Sequence, residues 1–168
     1  MANERLIRIS VSMQGPNKCR TVFNRRGIII NERFWNKLRN ELIDIFKDQG
    51  PLILYQLGLS YGIEVGSQSR EVAEDIVSAT KFFEYYGLLA GWGRFEISEL
   101  ESLEGKIRVR IHDNFFAQAA KVDTGNPSCY FVSGLPAGME EGHHCIEMQC
   151  ISSGSKFCEF MVKRNPSR

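Results

Sequence analysis

Four residues near the C-terminus could do chemistry together: Cys129, Glu147, Cys150 and Cys158. Zinc takes four tetrahedral ligands drawn from thiolate, imidazole and carboxylate. Cys150 and Cys158 flank Ser153-Gly154, and an antiparallel hairpin turning there brings both sulfurs toward one point. Glu147 lies three residues before Cys150, so strand pleating puts it on the opposite face. It reaches the same point only if the strand bends or bulges. His143 and His144 are near enough to replace it as fourth ligand, and Cys145, which faces the same way as Glu147, is a third substitute. Three thiolates and a carboxylate carry a formal charge of about −4 against the metal's +2. Nearby donors must offset that charge, and Lys156 and the backbone amides of the turn are candidates. The competing reading is a set of buried free thiols. A redox pair is disfavoured, because no arrangement that lowers a thiol pKa is evident. Five cysteines is an odd count for a disulfide framework and points to a reducing, cytoplasmic setting.

The elements that must position these residues follow from periodicity. Residues 5–13 alternate as a strand, 14–20 form a turn, and 21–30 form a second extended stretch. Asn31 caps a helix over residues 32–47, with Phe34, Leu38, Leu42, Ile45 and Phe46 at helical spacing. Pro51 opens a second helix carrying Gly58, Gly62 and Gly66 on one face. Each glycine costs up to about 1 kcal/mol relative to alanine. The stripe therefore needs a reason, either close approach of another helix or room for a ligand. A third helix is expected over residues 71–86, ending at Gly87, then strands over 94–100 and 106–112. A helix over 128–140, interrupted by Pro136, precedes strands over 145–152 and 156–163. Strands joined by short turns pair antiparallel, so the expected class is α+β, helices packed on an antiparallel sheet.

The 168 residues suit one domain spanning 1–168, with an ordinary globular composition. The net charge of +1 exerts no global pull on nucleic acid or anionic membrane. Residues 1–39 hold nine basic and two acidic side chains, and residues 40–105 hold four and twelve. These halves are read as neutralising each other within the fold or across a dimer. No signal peptide or membrane span is read from the sequence.

The segments CYFVSGLPAGMEEG and IEMQCISSGSKFCEFMV resemble the 4-vinyl reductase (hydrocarbon-binding) domain family. The motif is carried by Cys129-Tyr130-Phe131, Gly134, Gly138, Glu147, Cys150, Gly154, Cys158 and Phe160. LYQLGLSYGIEVG, FFEYYGLLAGWGRFEI and IRVRIHDNFFA are softer matches, and the resemblance covers about residues 45–163. It implies the α+β fold shared with small subunits of a vesicle-tethering complex, a fold of ligand-binding type. It also implies a structural zinc on Cys129, Glu147, Cys150 and Cys158, and a homodimer. It further implies the sensing of hydrophobic small molecules, as in phenol-responsive bacterial activators, with a signalling protein as a further partner. The chain departs from those activators: it has no ATPase domain and no helix-turn-helix, it has His112 where a ligand-contacting Trp is expected, and Pro136 interrupts the last helix.

A ligand of this kind needs an apolar pocket with a few placed polar groups. The candidate lining is Phe82, Phe83, Tyr85, Trp92, Phe115, Phe116 and Tyr130, with His112 as the polar handle; the alternative is that these aromatics are core. Two other functions compete. An enzyme or accessory factor in tetrapyrrole vinyl-group reduction would need a hydride source, and no G-x-G-x-x-G follows a strand; Gly91-Trp92-Gly93 follows a helix. A ligand-free protein–protein scaffold would fill the pocket with its own side chains.

Overall fold

The computed structural model describes residues 11–14, 19–22, 25–26, 30–73, 75–101, 106–118, 128–139 and 142–166. The chain divides into two compact units, residues 1–31 and 32–168.

The first unit contains a small antiparallel meander of β1 (Val11–Gln14), β2 (Cys19–Val22) and β3 (Arg25–Arg26). Val11 pairs with Val22, and Gln14 with Cys19. Of the strand expected over 5–13, only residues 11–13 lie among those described. Residues 15–18 of the expected turn lie outside them. The second extended stretch is two strands, β2 beginning at Cys19 and β3 following it.

The second unit begins with α1 (Glu32–Phe46). Lys47, at φ 49, breaks the helix, and a single 3₁₀ turn over Lys47–Gln49 redirects the chain into α2 (Gly50–Val72). Pro51 sits in the first turn of α2, where its missing N–H costs nothing. α3 spans Ile76–Leu89. It starts later than expected, because α2 continues through Val72. It also runs past Gly87, which is a packing residue and not a stop: a Cβ there would meet the Phe95 ring at 2.4 Å. The positive φ angles that end this region are at Gly91 and Gly93.

The sheet comprises β4 (Arg94–Glu101), β5 (Lys106–His112), β6 (His143–Gln149) and β7 (Cys158–Arg164). It is antiparallel throughout, in the order β4-β5-β7-β6. Alternation sorts its faces. Val109, Ile111, Cys158, Phe160 and Val162 are all buried, while Arg108, Arg110 and His112 lie on the opposite face of β5. Across the sheet one row reads Ile97, Val109, Phe160, Glu147, so a carboxylate ends an apolar rung.

A short α4 (Phe115–Gln118) follows β5 and was not expected from the sequence. Asn114 builds it: its Oδ1 accepts from the Phe116 N–H at 3.2 Å, and its carbonyl accepts from Ala117 and Gln118 at 3.1 Å. The last helix, α5 (Tyr130–Met139), carries Pro136 in its interior and is buried along most of its length.

α5 owes that burial to α2. A Cβ on Gly58 would stand 1.9 Å from the Phe131 carbonyl oxygen, and one on Gly62 2.1 Å from that of Leu135. In return, a Cβ on Gly134 would lie 2.2 Å from the Tyr55 oxygen, and one on Gly138 2.1 Å from that of Leu59. The two glycine sets interlock, so the helix backbones touch. The stripe on α2 serves helix–helix approach.

Candidate metal centre and apolar cavity

Three separate pieces of chain converge at the N-terminal end of α5. Cys129 stands one residue ahead of that helix. Glu147 comes from β6, and Cys158 opens β7. Cys150 lies just past the end of β6, in extended backbone leading into a 3₁₀ turn over Ile151–Ser153. That is a correction to the expected strand over 145–152: β6 ends at Gln149, and the hairpin is wider than a two-residue turn. Gly154, at φ 91, closes it.

The pairing register shifts between Glu147 and Gln149, which face Phe160 and Glu159. This is the irregularity the sequence required. By inserting a residue after Glu147, it lets Cys150 come round to the side that Glu147 already shares with Phe160.

One ligand atom from each of the four residues fits within a sphere of mutual distances up to 4.8 Å. The sulfur separations are 3.6 Å for Cys129–Cys150, 3.7 Å for Cys129–Cys158 and 3.9 Å for Cys150–Cys158. Tetrahedral ligation with zinc–sulfur bonds of about 2.3 Å gives sulfur–sulfur edges of about 3.8 Å. All three cysteines are buried and none is in a disulfide.

Glu147 supplies a second test of fit. Its Oε2 accepts the Cys129 N–H at 3.0 Å, whereas Oε1 is buried with no hydrogen-bond partner among the described residues. An unpaired buried carboxylate oxygen is costly, and a cation at the centre of the cluster would satisfy it. Burial, helped by the adjacent Cys150, pushes the Glu147 carboxyl up to about 8. Hydrogen bonds from Cys129 and Cys158 hold the Cys150 thiol well below its usual range, and the same contacts push Cys129 up. Metal binding to such a set requires deprotonated ligands and therefore releases protons.

The surrounding donors point the same way. Asn114 Nδ2 donates to Cys129 Sγ at 3.4 Å, and the Ile151 N–H donates to Cys158 Sγ at 3.4 Å. The Ser152 and Ser128 hydroxyls lie 2.9 and 3.4 Å from Cys150 Sγ. The turn therefore contributes a backbone amide, as expected, while Lys156 is exposed. Asn114, Ser128 and Ser152 were missed from the sequence, because their role depends on contacts between distant segments. Of the alternative ligands, Cys145 is buried but outside the cluster, and His144 Nδ1 lies 2.8 Å from Asn165 Oδ1. Cys129, Glu147, Cys150 and Cys158 lie close enough together to bind a metal ion.

At the other end of α5 lies a cavity of about 320 Å³. Ile97, Ile107, Val109 and Val162 form its floor from the sheet, and Ala79, Thr80 and Phe83 form a wall from α3. Pro136 and Met139 close it from α5, and Ser69, Arg70, Ala73 and Asp75 border it where α2 gives way to α3.

Of the eight aromatic and histidine residues expected to line a pocket, Phe83 lines this one. Trp92 and Phe116 belong to a packed aromatic cluster with Trp35, Tyr61 and Phe131, ring centres 5.0–6.4 Å apart. Phe82 is buried against Tyr86, Phe115 lies tilted against Phe116, and Tyr85 is exposed. Tyr130 is half-buried at the start of α5. His112 lies on the outer face of the sheet, with Nε2 3.1 Å from Glu96 and its ring against Phe157. The cavity floor was legible as the apolar phase of β4, β5 and β7; the aromatic residues drew attention away from it.

The second unit is thus an α+β arrangement of helices on a four-stranded antiparallel sheet, with a cysteine–glutamate cluster at the N-terminal end of its most buried helix. No family model matches the chain. Two uncharacterized proteins of Methanocaldococcus jannaschii are similar in sequence, one 33% identical over 89 residues and one 25% identical over 116 residues. These matches take in 50% and 66% of this chain, and 50% and 63% of the relatives. Among solved structures, the phenol-responsive sensory domain of the transcription activator PoxR, with phenol, superposes with a TM-score of 0.76 at 14% identity. That match covers 92% of this chain and 84% of PoxR's. A vinyl-4-reductase family protein from Methanocaldococcus jannaschii gives 0.59 at 20% identity, over 82% and 83% of the two chains. Subunit 3 of a trafficking protein particle complex from Naegleria fowleri, covalently bound to palmitic acid, gives 0.55 at 11% identity, over 80% and 95%. At these identities the likeness is one of fold, and the fold is the one that the C-terminal motif led us to expect.

Proposed function

We propose that this chain is a binding or sensing domain for a compact hydrophobic molecule, braced by a structural zinc on Cys129, Glu147, Cys150 and Cys158. The observation that carries this reading is the cavity, about 320 Å³ and mostly apolar, built on the same α5 and β7 that carry Cys129 and Cys158. Small-molecule sites run from about 300 to 1,000 Å³ and are largely apolar with a few placed polar groups. The fold shared with a phenol-sensing domain and with a palmitate-carrying subunit supports the same reading.

Zinc suits the donor set better than magnesium or calcium, which take oxygen ligands. Bound there, it would cross-link α5 to the β6–β7 hairpin. Four protein ligands leave no open coordination position, so the reading is a structural centre and not a catalytic one. The chain's own residues do the rest: the buried sheet floor excludes water, and α3 forms the wall opposite. On this reading the protein works as a homodimer in a reducing cytoplasm and passes its ligand state to a protein partner.

Native mass spectrometry and elemental analysis of the purified protein test the proposal together with thermal-shift measurements using phenol and larger alkylphenols. One zinc per chain and a concentration-dependent rise in Tm are expected. Absence of both metal and any Tm response would overturn it.

A further inference from the structure

The lining of the cavity is not uniform. Its floor and α5 side are aliphatic or aromatic, while its polar residues cluster at one edge, Ser69 and Arg70 at the end of α2 and Asp75 and Thr80 at the start of α3. A ligand filling this space must be apolar at one end and polar at the other. The geometry points to a carboxylate for that polar end: the cavity takes a small amphipathic acid, with its apolar body over Val109 and Val162 and its carboxylate on Arg70. This inference rests on the cavity's being a ligand site.

Three observations support it. Arg70 is the one cation among the described lining residues. Its guanidinium is held in place, Nη1 donating to the Met139 carbonyl at 3.0 Å at the end of α5. That bond uses one of five N–H donors in a rigid fork suited to bidentate carboxylate recognition. Asp75, the acid of the same edge, stands directly before α3, and its carbonyl accepts the Ala79 N–H at 3.0 Å. A helix N-terminus favours an acidic group beside it, which suits Asp75 to the start of α3, while Arg70 keeps further N–H donors beyond the one given to Met139. Ser69, buried, spends its hydroxyl proton on the Gly66 carbonyl at 2.9 Å and supplies no donor that would favour an anion. Arg70 is thus the charged donor that this edge offers an anion.

The test compares 3-phenylpropanoate with its neutral isostere 3-phenylpropanamide, by calorimetry and thermal shift at pH 7, on wild type and Arg70→Gln. Wild type is expected to bind the acid at least tenfold more tightly than the amide. Arg70→Gln should reduce that preference to within twofold while changing amide affinity less than threefold. Equal affinity of wild type for the two compounds overturns the inference and leaves the pocket standing, as does a preference that survives in Arg70→Gln. Binding of neither compound, with no Tm response to the phenols, overturns the pocket and this inference together. The wild-type comparison decides even if Arg70→Gln loses its fold along with the bond to Met139.

Discussion

At the scale of single residues, the centre depends on who donates to whom. Asn114 is fully buried and serves two partners, the Cys129 sulfur and the Phe116 amide. Outer-shell donors of this kind typically hold a further tenfold to hundredfold in metal affinity. Asn114→Ala is expected to weaken zinc binding by about 10- to 100-fold, read by competition with a chromophoric chelator, while Lys156→Ala leaves it unchanged. Cys158→Ala should remove the metal outright, seen as loss of one zinc in the native mass. The candidate cluster was legible in the sequence because thiol and carboxylate chemistry is carried by residue type, although the fourth member was left open between Glu147, His143, His144 and Cys145. The reach of its members was not: whether Cys150 comes round to the face of Glu147 is decided by a register shift after Glu147, and no residue type marks where a strand will bulge.

At the scale of elements, the interlocked glycines of α2 and α5 are the strongest packing constraint in the second unit. Added methyl groups at Gly62 or Gly138 would sit about 2 Å from opposing carbonyl oxygens, too close for side-chain adjustment to relieve. Overpacking typically costs about 1 to 3 kcal/mol and occasionally more. We expect Gly62→Ala to fall at or above about 3 kcal/mol, since backbone must separate from backbone, measured as loss of the midpoint in urea unfolding. Gly142→Ala tests a different mechanism: nothing lies within 4 Å, but φ is 77, so it should cost only conformational strain of about 1 to 2 kcal/mol. The spacing of four between Gly58, Gly62 and Gly66 announced the contact but could not name the partner helix. Periodicity likewise located α3 but misplaced both its ends, because Gly87 makes room for the Phe95 ring and glycine alone does not say whether it stops a helix or seats a side chain.

At the scale of the second unit as a whole, the cluster and the cavity occupy opposite ends of the same two elements, α5 and β7. Filling the cavity without touching the cluster separates the two roles. Ala79→Trp on α3 is expected to abolish the Tm response to hydrophobic probes while zinc content stays at one per chain. Stripping the metal with a chelator should do the reverse in order: the protein loses several degrees of Tm first, and probe binding weakens with it. Among the described residues no helix is long and apolar enough to cross a membrane. The α+β architecture was legible from strand alternation and helical spacing. The cavity was not, because a void is a property of where several distant elements fail to meet, and no sequence window contains them all.

The touching backbones of α2 and α5 have a mechanical consequence. With no side chain between them to repack, the two helices have little freedom to shift against one another, and a metal bound as proposed would tie α5 to the hairpin. The compliant wall of the cavity is then α3, whose contacts run through side chains such as Phe83 and Ala79. If the cavity takes ligands as proposed, α3 is the wall with room to give, and guests of different girth would be told apart by how far they press that one helix.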